Sequence, residues 1–146
     1  MLRKYFTLSK PQTPLLTVDA VILYNSNIVL IRRKNPPFQG QLALPGGFVD
    51  IGETVEQACI REAKEETNIK VDIKELIGIF SDPKRDPRGH TVTIAFLCEP
   101  ATSEEKPLAK DDAASLEIVA IEDLFSKKYA FDHYTILKNA VNMIKK

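Results

Sequence analysis

The chain has 146 residues, 44% hydrophobic and 27% charged, with 20 basic and 20 acidic side chains and zero formal net charge. That length and balance fit one domain spanning 1–146, able to bury a core without disulfides or a structural metal. Zero net charge excludes a global pull toward nucleic acid or anionic lipid, so any phosphate recognition must be local.

Residues 1–14 carry Lys and Arg but no long apolar run, which is not the pattern of a signal peptide. No stretch approaches a membrane span, and a cytoplasmic location is expected. Tyr5, Phe6 and Leu8 make the segment a candidate N-terminal arm. Residues 17–24 (TVDAVILY) are rich in β-branched side chains and read as a strand. Asn25-Ser26-Asn27 is a turn signal, and residues 28–31 complete a hairpin. Residues 34–40 (KNPPFQG) form a loop, and residues 42–44 are a short apolar piece closed by Pro45-Gly46-Gly47. Residues 54–67 are the clearest helix. Strands are predicted over 71–80 and 91–97, separated by the Pro- and Gly-containing loop 81–89, and a polar loop over 99–114. A strand over 116–120, one helical turn over 121–125 and a terminal helix over 131–144 complete the chain, the last from apolar Ile136, Leu137, Ala140, Val141 and Ile144. Strands mixed with one central and one terminal helix point to an α/β or α+β sandwich whose helices cover a mixed sheet. Cys59 and Cys98 match neither a zinc motif nor a disulfide framework and read as buried thiols in a reducing compartment.

The central helix carries the chemistry. Thr54 stands three residues before Gln57, a capping-box pattern. At roughly 100° per residue, Val55, Ala58, Cys59, Ala63 and Ile69 share one arc. Glu62 and Glu66 fall inside that arc, one turn apart, and Glu65 lies on its edge. A solvated acidic face belongs opposite the apolar stripe, which suits Glu56 but not this pair. Two such carboxylates repel and need positive charge nearby. Arg61 is a candidate but projects well round the helix, so a divalent cation offsets them better. Carboxylates without His or Cys suit a hard ion such as Mg²⁺ or Mn²⁺. Gly46-Gly47 and Gly52 bracket a tight loop before Glu53, where glycines permit close backbone approach and unusual dihedrals.

Gly47, Glu53, Arg61-Glu62-Ala63, Glu65-Glu66 and Ile69 stand at the spacing of the Nudix box, G-x5-E-x7-R-E-U-x-E-E-x-G-U, and here the chain resembles that family. Asn68 replaces the last glycine, at a helix end where Asn is the next-best residue for a left-handed conformation. Residues 30–38, 42–49 and 81–90 resemble the ADP-ribose pyrophosphatase branch, with Leu42 where that branch often has Trp. The resemblance implies the Nudix α/β/α sandwich with a mixed sheet. It also implies an Mg²⁺-dependent pyrophosphatase (Mn²⁺ as an alternative) yielding AMP and ribose 5-phosphate from ADP-ribose.

Carried over by motif position, Glu62 and Glu66 are expected to be the main metal ligands. Glu65 would be a third ligand or orient the attacking water, and the Gly46 carbonyl a further ligand. Arg61 would hold the acidic cluster through Glu53. Asp112, in Asp111-Asp112-Ala113, is the candidate base, with Glu104, Glu105 and Asp111 as alternatives. Arg32, Arg33, Lys34, Arg85 and Arg88 are candidates for phosphate contacts, and Phe38 or Phe80 for stacking on adenine, although Phe80 suits core packing better. His90 and His133 read as structural. The expected partner is a small nucleotide, with neither nucleic acid nor membrane, and the resemblance implies a homodimer. Two rival functions remain: a non-catalytic ADP-ribose sensor, disfavoured by intact box acids and by no further module being expected after Lys146, and a hydrolase of nucleoside triphosphates, dinucleotides or nucleotide sugars.

Overall fold

The computed structural model describes residues 11–109 and 113–146. Seven strands form one mixed sheet in the order β3-β2-β1-β6-β5, with β4 added to β1 and β7 to β2. Strands β1 (Leu15–Tyr24) and β2 (Asn27–Arg33) form the expected hairpin. Asn25 and Ser26 both take positive φ, 48° and 66°, as a two-residue hairpin turn requires. Next come β3 (Leu42–Ala43), β4 (Gly46–Phe48), helix α1 (Val55–Thr67), β5 (Val71–Phe80) and β6 (Thr91–Pro100). Strand β7 (Ala113–Ala120), a 3₁₀ segment (Ile121–Ser126) and helix α2 (His133–Ile144) follow. No helix among the described residues is long and apolar enough to cross a membrane.

Alternation along the strands divides the core. Val18, Ala20, Ile22 and Val29 face α1 and pack with Ala58, Cys59 and Ala63. Val21, Ile28 and Leu30 face the other way and pack with Ile136, Leu137 and Ala140 of α2. The sheet is therefore covered on both sides, as the α/β/α expectation required. Cys59 and Cys98 lie buried in the α1-side core with sulfurs 3.9 Å apart. The mutual hydrogen bond, and then burial, push the Cys98 thiol up, which keeps it protonated.

Several expected boundaries move. Strand β6 continues to Pro100, paired with Val71, and β7 begins at Ala113, paired with Arg33, so the polar loop is shorter than its composition indicates. The terminal helix starts at His133, because Phe131 adopts φ 52°, outside the helical region. Strand β4 is too short for periodicity to reveal. It matters most for function. β1 pairs with β2 at Leu23 and Tyr24 but with β4 at Thr17, Val18 and Asp19. This change of partner leaves a cleft between the ends of β2 and β4.

Candidate active site

Helix α1 starts where the sequence places it. Gln57 N donates to Thr54 Oγ1 at 3.0 Å, and Thr54 N donates to Gln57 Oε1 at 2.9 Å. It ends on Asn68 with φ 67° and ψ 4°, the left-handed cap that Gly usually supplies. Between these ends, the arc that packs on the sheet carries Glu66, only 6% exposed, and Glu62, whose side chain is 15% exposed. Both meet β4. Gly46 N donates to Glu66 Oε1 at 2.7 Å. A Cβ on Gly47 would sit 2.6 Å from Glu62 Cδ, and one on Gly46 would collide with the Val18 carbonyl and the Asp19 carboxylate. These two glycines are required by close approach, not by positive φ.

Arg61 reaches further than the helical wheel indicates. Its guanidinium donates to Glu53 at 2.6 and 2.9 Å, to Glu62 Oε1 at 2.8 Å, to Glu65 Oε2 at 3.2 Å and to the Phe48 carbonyl at 3.0 Å. A flexible stem swings the charge round the helix, so Arg61, which the sequence ranked behind a cation, offsets part of the repulsion. The Arg61 hydrogen bond, helped by the Asp50 amide, holds the Glu53 carboxyl down to about 2. In turn Glu53 and Glu62 hold the Arg61 proton more firmly than usual. Glu65 stands at the rim, 46% exposed, on Arg61.

An open cleft of about 440 Å³ lies over Gly46 and Gly47 and is lined by Glu62 and Glu66 from α1 and by Arg33 and Arg88. Arg33 stacks on the Phe131 ring at 4.9 Å and donates from Nε to the Pro37 carbonyl at 2.7 Å. Arg88 lies 5.5 Å from Phe131 and 5.6 Å from Phe48. Burial, and then the Arg88 charge, lower the Arg33 pKa, while Glu66, Asp86 and Asp19 oppose them. Burial pushes the Asp86 carboxyl up, but the Arg88 side-chain and backbone hydrogen bonds outweigh it and hold it below its ordinary value.

The other sequence candidates take several places. Arg32 points to the opposite face of β2, where Nε donates to Glu117 at 2.8 Å and a terminal nitrogen donates to the Gly40 carbonyl. Arg85 is 4% exposed and grips Asp132 through two bonds of 2.9 and 2.7 Å, with Thr91 Oγ1 as a third acceptor. These bonds anchor the 81–90 loop, and Arg85 lines the smaller pocket that adjoins Gly46, Gly47 and Glu66. Phe38 packs edge-on against Phe131 at 4.9 Å and does not line the cleft. Phe80 packs against the α2-side core. Glu105 accepts the Lys70 amide at 2.6 Å, and neither it nor Glu104 lines the cleft. Lys34 does line it. His90 bridges to the Ser81 carbonyl and joins the two ends of the loop. Asp111 and Asp112 lie outside the described residues, as do Tyr5, Phe6 and Leu8 of the N-terminal arm. Sequence reasoning missed Phe48 and Phe131, the rings that carry the two cleft arginines. Phe48 sits beside Gly46-Gly47, and that adjacency was the available signal.

The site can hold a hard cation. Its donors are carboxylate and backbone carbonyl oxygens, and the Glu62 carboxylate occupies the space left by the missing Gly47 side chain. Among the described residues no three Asp, Glu, His or Cys side chains already converge as a complete ligand set. Glu62 and Glu66 would therefore need a backbone oxygen or the ligand itself to complete one.

Residues 13–140 match the NUDIX domain family. The ADP-ribose pyrophosphatase of Methanocaldococcus jannaschii is 48% identical over 86% of this chain and 72% of its own length. The ADPR responsive transcriptional repressor NtrR of Acinetobacter baylyi is 34% identical over 88% of this chain, which spans 53% of that protein. The NUDIX domain of Shewanella oneidensis NrtR, solved with ADP ribose, superposes with a TM-score of 0.83 at 26% identity, covering 99% of both chains. A bifunctional NMN adenylyltransferase/ADP ribose pyrophosphatase from Francisella tularensis, solved with AMP and a Mn ion, gives 0.79 at 28% identity over 97% of this chain and 45% of its own. With the family match spanning most of its length and Glu62 and Glu66 of the box lining one cleft, the chain belongs to the Nudix family and is a Nudix pyrophosphatase.

Proposed function

We propose that this enzyme hydrolyses ADP-ribose to AMP and ribose 5-phosphate with Mg²⁺ as its metal. The observation that carries the reading is the cleft itself, lined by two carboxylates over a glycine pair and by two stacked guanidinium groups. A diphosphate has the complementary charge for both sets once a cation is present. The archaeal pyrophosphatase relative supports the choice of substrate.

Glu62 and Glu66 would hold the cation with the Gly46 carbonyl, and Glu65 would supply a further oxygen at the rim. When bound, the metal neutralises phosphate charge and acidifies water, which a diphosphate otherwise resists as an electrophile. Arg33 would take diphosphate oxygens, and Arg88, which also lies over Phe48, the oxygens of the phosphate and ribose on that side, both resting against Phe131. Arg61 keeps Glu62 oriented by bonding it together with Glu53. Asp112 is the base we assign from the sequence. It closely precedes the strand residue Ala113, which pairs with Arg33.

A panel of ADP-ribose, ATP, dGTP, a diadenosine polyphosphate and a nucleotide sugar, each with Mg²⁺ and products resolved by chromatography, tests the reading. ADP-ribose should give the highest kcat/KM and release AMP. Tight ADP-ribose binding without turnover would instead favour a sensor, as in the repressor relative. We further propose a homodimer. Leu15 and Leu16, 59% and 39% exposed, lie beside Phe48, 42% exposed, at the edge where β4 joins β1. Sedimentation equilibrium should return twice the chain mass, and a monomer at all concentrations would refute the proposal.

A further inference from the structure

Asp19 and His133 are buried titratable groups that the roles above leave unused. Strand alternation places Asp19 on the same face of β1 as Val21, where an apolar side chain would pack against α2. It is 6% exposed, and His133, the first residue of α2, is 4% exposed. The ring joins two backbone segments. His133 Nδ1 accepts the Leu44 amide at 2.9 Å, so the ring proton sits on Nε2, which faces Asp19 Oδ2 at 3.3 Å. The second Asp19 oxygen lies against Gly46, in the space a Cβ would need. One residue earlier, Ala20 N donates to the Pro45 carbonyl at 2.9 Å. Leu44 is thus held by the His133 ring and Pro45 by the β1 backbone, the Asp19 carboxylate packs against Gly46, and Glu66 takes the Gly46 amide from the α1 side.

Stability does not explain this arrangement. A buried carboxylate hydrogen-bonded to a neutral imidazole carries a desolvation cost that an apolar pair of the same volume avoids, and removing one partner strands the other. What the pair supplies is position: it fixes the peptide of Gly46 relative to the carboxylates of α1.

We propose that Asp19 and His133 are positioning residues that set the Gly46 backbone for cation binding by Glu62 and Glu66. The proposal rests on the metal reading of this site. The two functions of the ring can be separated. His133→Asn retains an acceptor near the Nδ1 position for Leu44 but falls short of Asp19. His133→Gln reaches toward Asp19 but leaves the Leu44 amide without its acceptor. Mn²⁺ alone, titrated into the full chain and followed by electron paramagnetic resonance, reports affinity without turnover, and thermal melts in EDTA report the fold.

Both variants should weaken Mn²⁺ binding roughly tenfold, in the range found when groups behind metal ligands are removed. High metal should then restore kcat, with KM for the nucleotide little changed. A lower melting temperature with wild-type Mn²⁺ affinity would make the pair merely structural and overturn the proposal. A variant that does not fold is covered by the wild type: on Mg²⁺ titration, the Leu44 and Gly46 amide resonances and the His133 ring nitrogens should shift together. Ring nitrogens that stay still while the Gly46 amide moves would refute the coupling. A wild type that takes up no Mn²⁺ would refute the metal reading on which it rests.

Discussion

At the scale of single residues, the site is built on carboxylates placed where apolar side chains belong. Glu66 keeps its burial by accepting the Gly46 amide, and Glu62 by sharing the Arg61 guanidinium. Glutamine keeps an acceptor oxygen at both sites and removes the charge. Glu62→Gln and Glu66→Gln should therefore lower kcat by roughly a hundredfold or more, because a ligand contributes at least as much as the groups behind it. Their melting temperatures in EDTA should match or exceed the wild type, since a repelling charge is gone. Wild-type turnover in either variant would remove it from the metal site. Glu53 gives a prediction about pH. Its folded pKa, about 2, lies below its ordinary value of 4.5, so its ion pair contributes stability above pH 4.5 that is lost as pH falls toward 2. In urea titrations with EDTA, the stability gap between wild type and Glu53→Gln should be widest above pH 4.5 and close toward pH 2. A gap independent of pH would show that Glu53 acts through packing.

At the scale of elements, the 81–90 loop is held by one buried clamp. Arg85 crosses from the loop to Asp132, the residue before α2, and the loop in turn carries Arg88 to the cleft. Asp132→Ala leaves a 4% exposed guanidinium with Thr91 as its named remaining acceptor. That should cost about 3 kcal/mol in urea unfolding, the range for breaking a buried pair from one side. It should also raise KM for the nucleotide, because the loop no longer presents Arg88 in one place. Unchanged stability would mean that the clamp does not form in solution. The clamp also shows what could be read in advance. Helix α1, its capping box and its Asn68 terminus were legible because their determinants are local: spacing, caps and one backbone dihedral. The acids on its inner arc were legible because they violate that local pattern. Arg32, Arg33, Arg85 and Arg88 were not separable, because their partners stand 2 to 85 residues away in sequence. Alternation along β2 does send Arg32 and Arg33 to opposite faces, yet it does not say which face is the cleft. Strand β4 was hidden for the same reason, since three residues have no period and only pairing with β1 makes them a strand.

At the scale of the whole molecule, zero net charge conceals a cleft lined by both signs. Its acids Glu62 and Glu66 come from α1 and its cations Arg33 and Arg88 from the end of β2 and the 81–90 loop, beside the point where β1 changes partner. Arg33 and Arg88 share the Phe131 ring, and burial and then the Arg88 charge lower the Arg33 pKa against the opposing Glu66, Asp86 and Asp19, so an anion between the two arginines adds to that compensation. Arg88 is the group that joins this pair to the Phe48 side. It lies over both rings and is held by Asp86 at 3.1 and 2.8 Å. On the proposed reading, the second ribose of ADP-ribose would extend past the diphosphate toward that side, whereas the γ-phosphate of a triphosphate is compact. Arg88 should therefore matter more for ADP-ribose than for ATP, and the difference should appear in kcat/KM. Arg88→Lys keeps a charge beside buried Asp86 but loses the fork, so it tests geometry without stranding a carboxylate. We expect Arg88→Lys to reduce kcat/KM for ADP-ribose roughly tenfold, the loss of about one charge-assisted hydrogen bond at 1.4 kcal/mol per decade. ATP turnover should change much less, so the preference narrows. Equal losses for both substrates would place Arg88 on the shared diphosphate and move the source of selectivity to another residue. A wild type that hydrolyses ATP as efficiently as ADP-ribose would refute the selectivity argument and leave the metal site untouched, because that site rests on Glu62, Glu66 and Gly46.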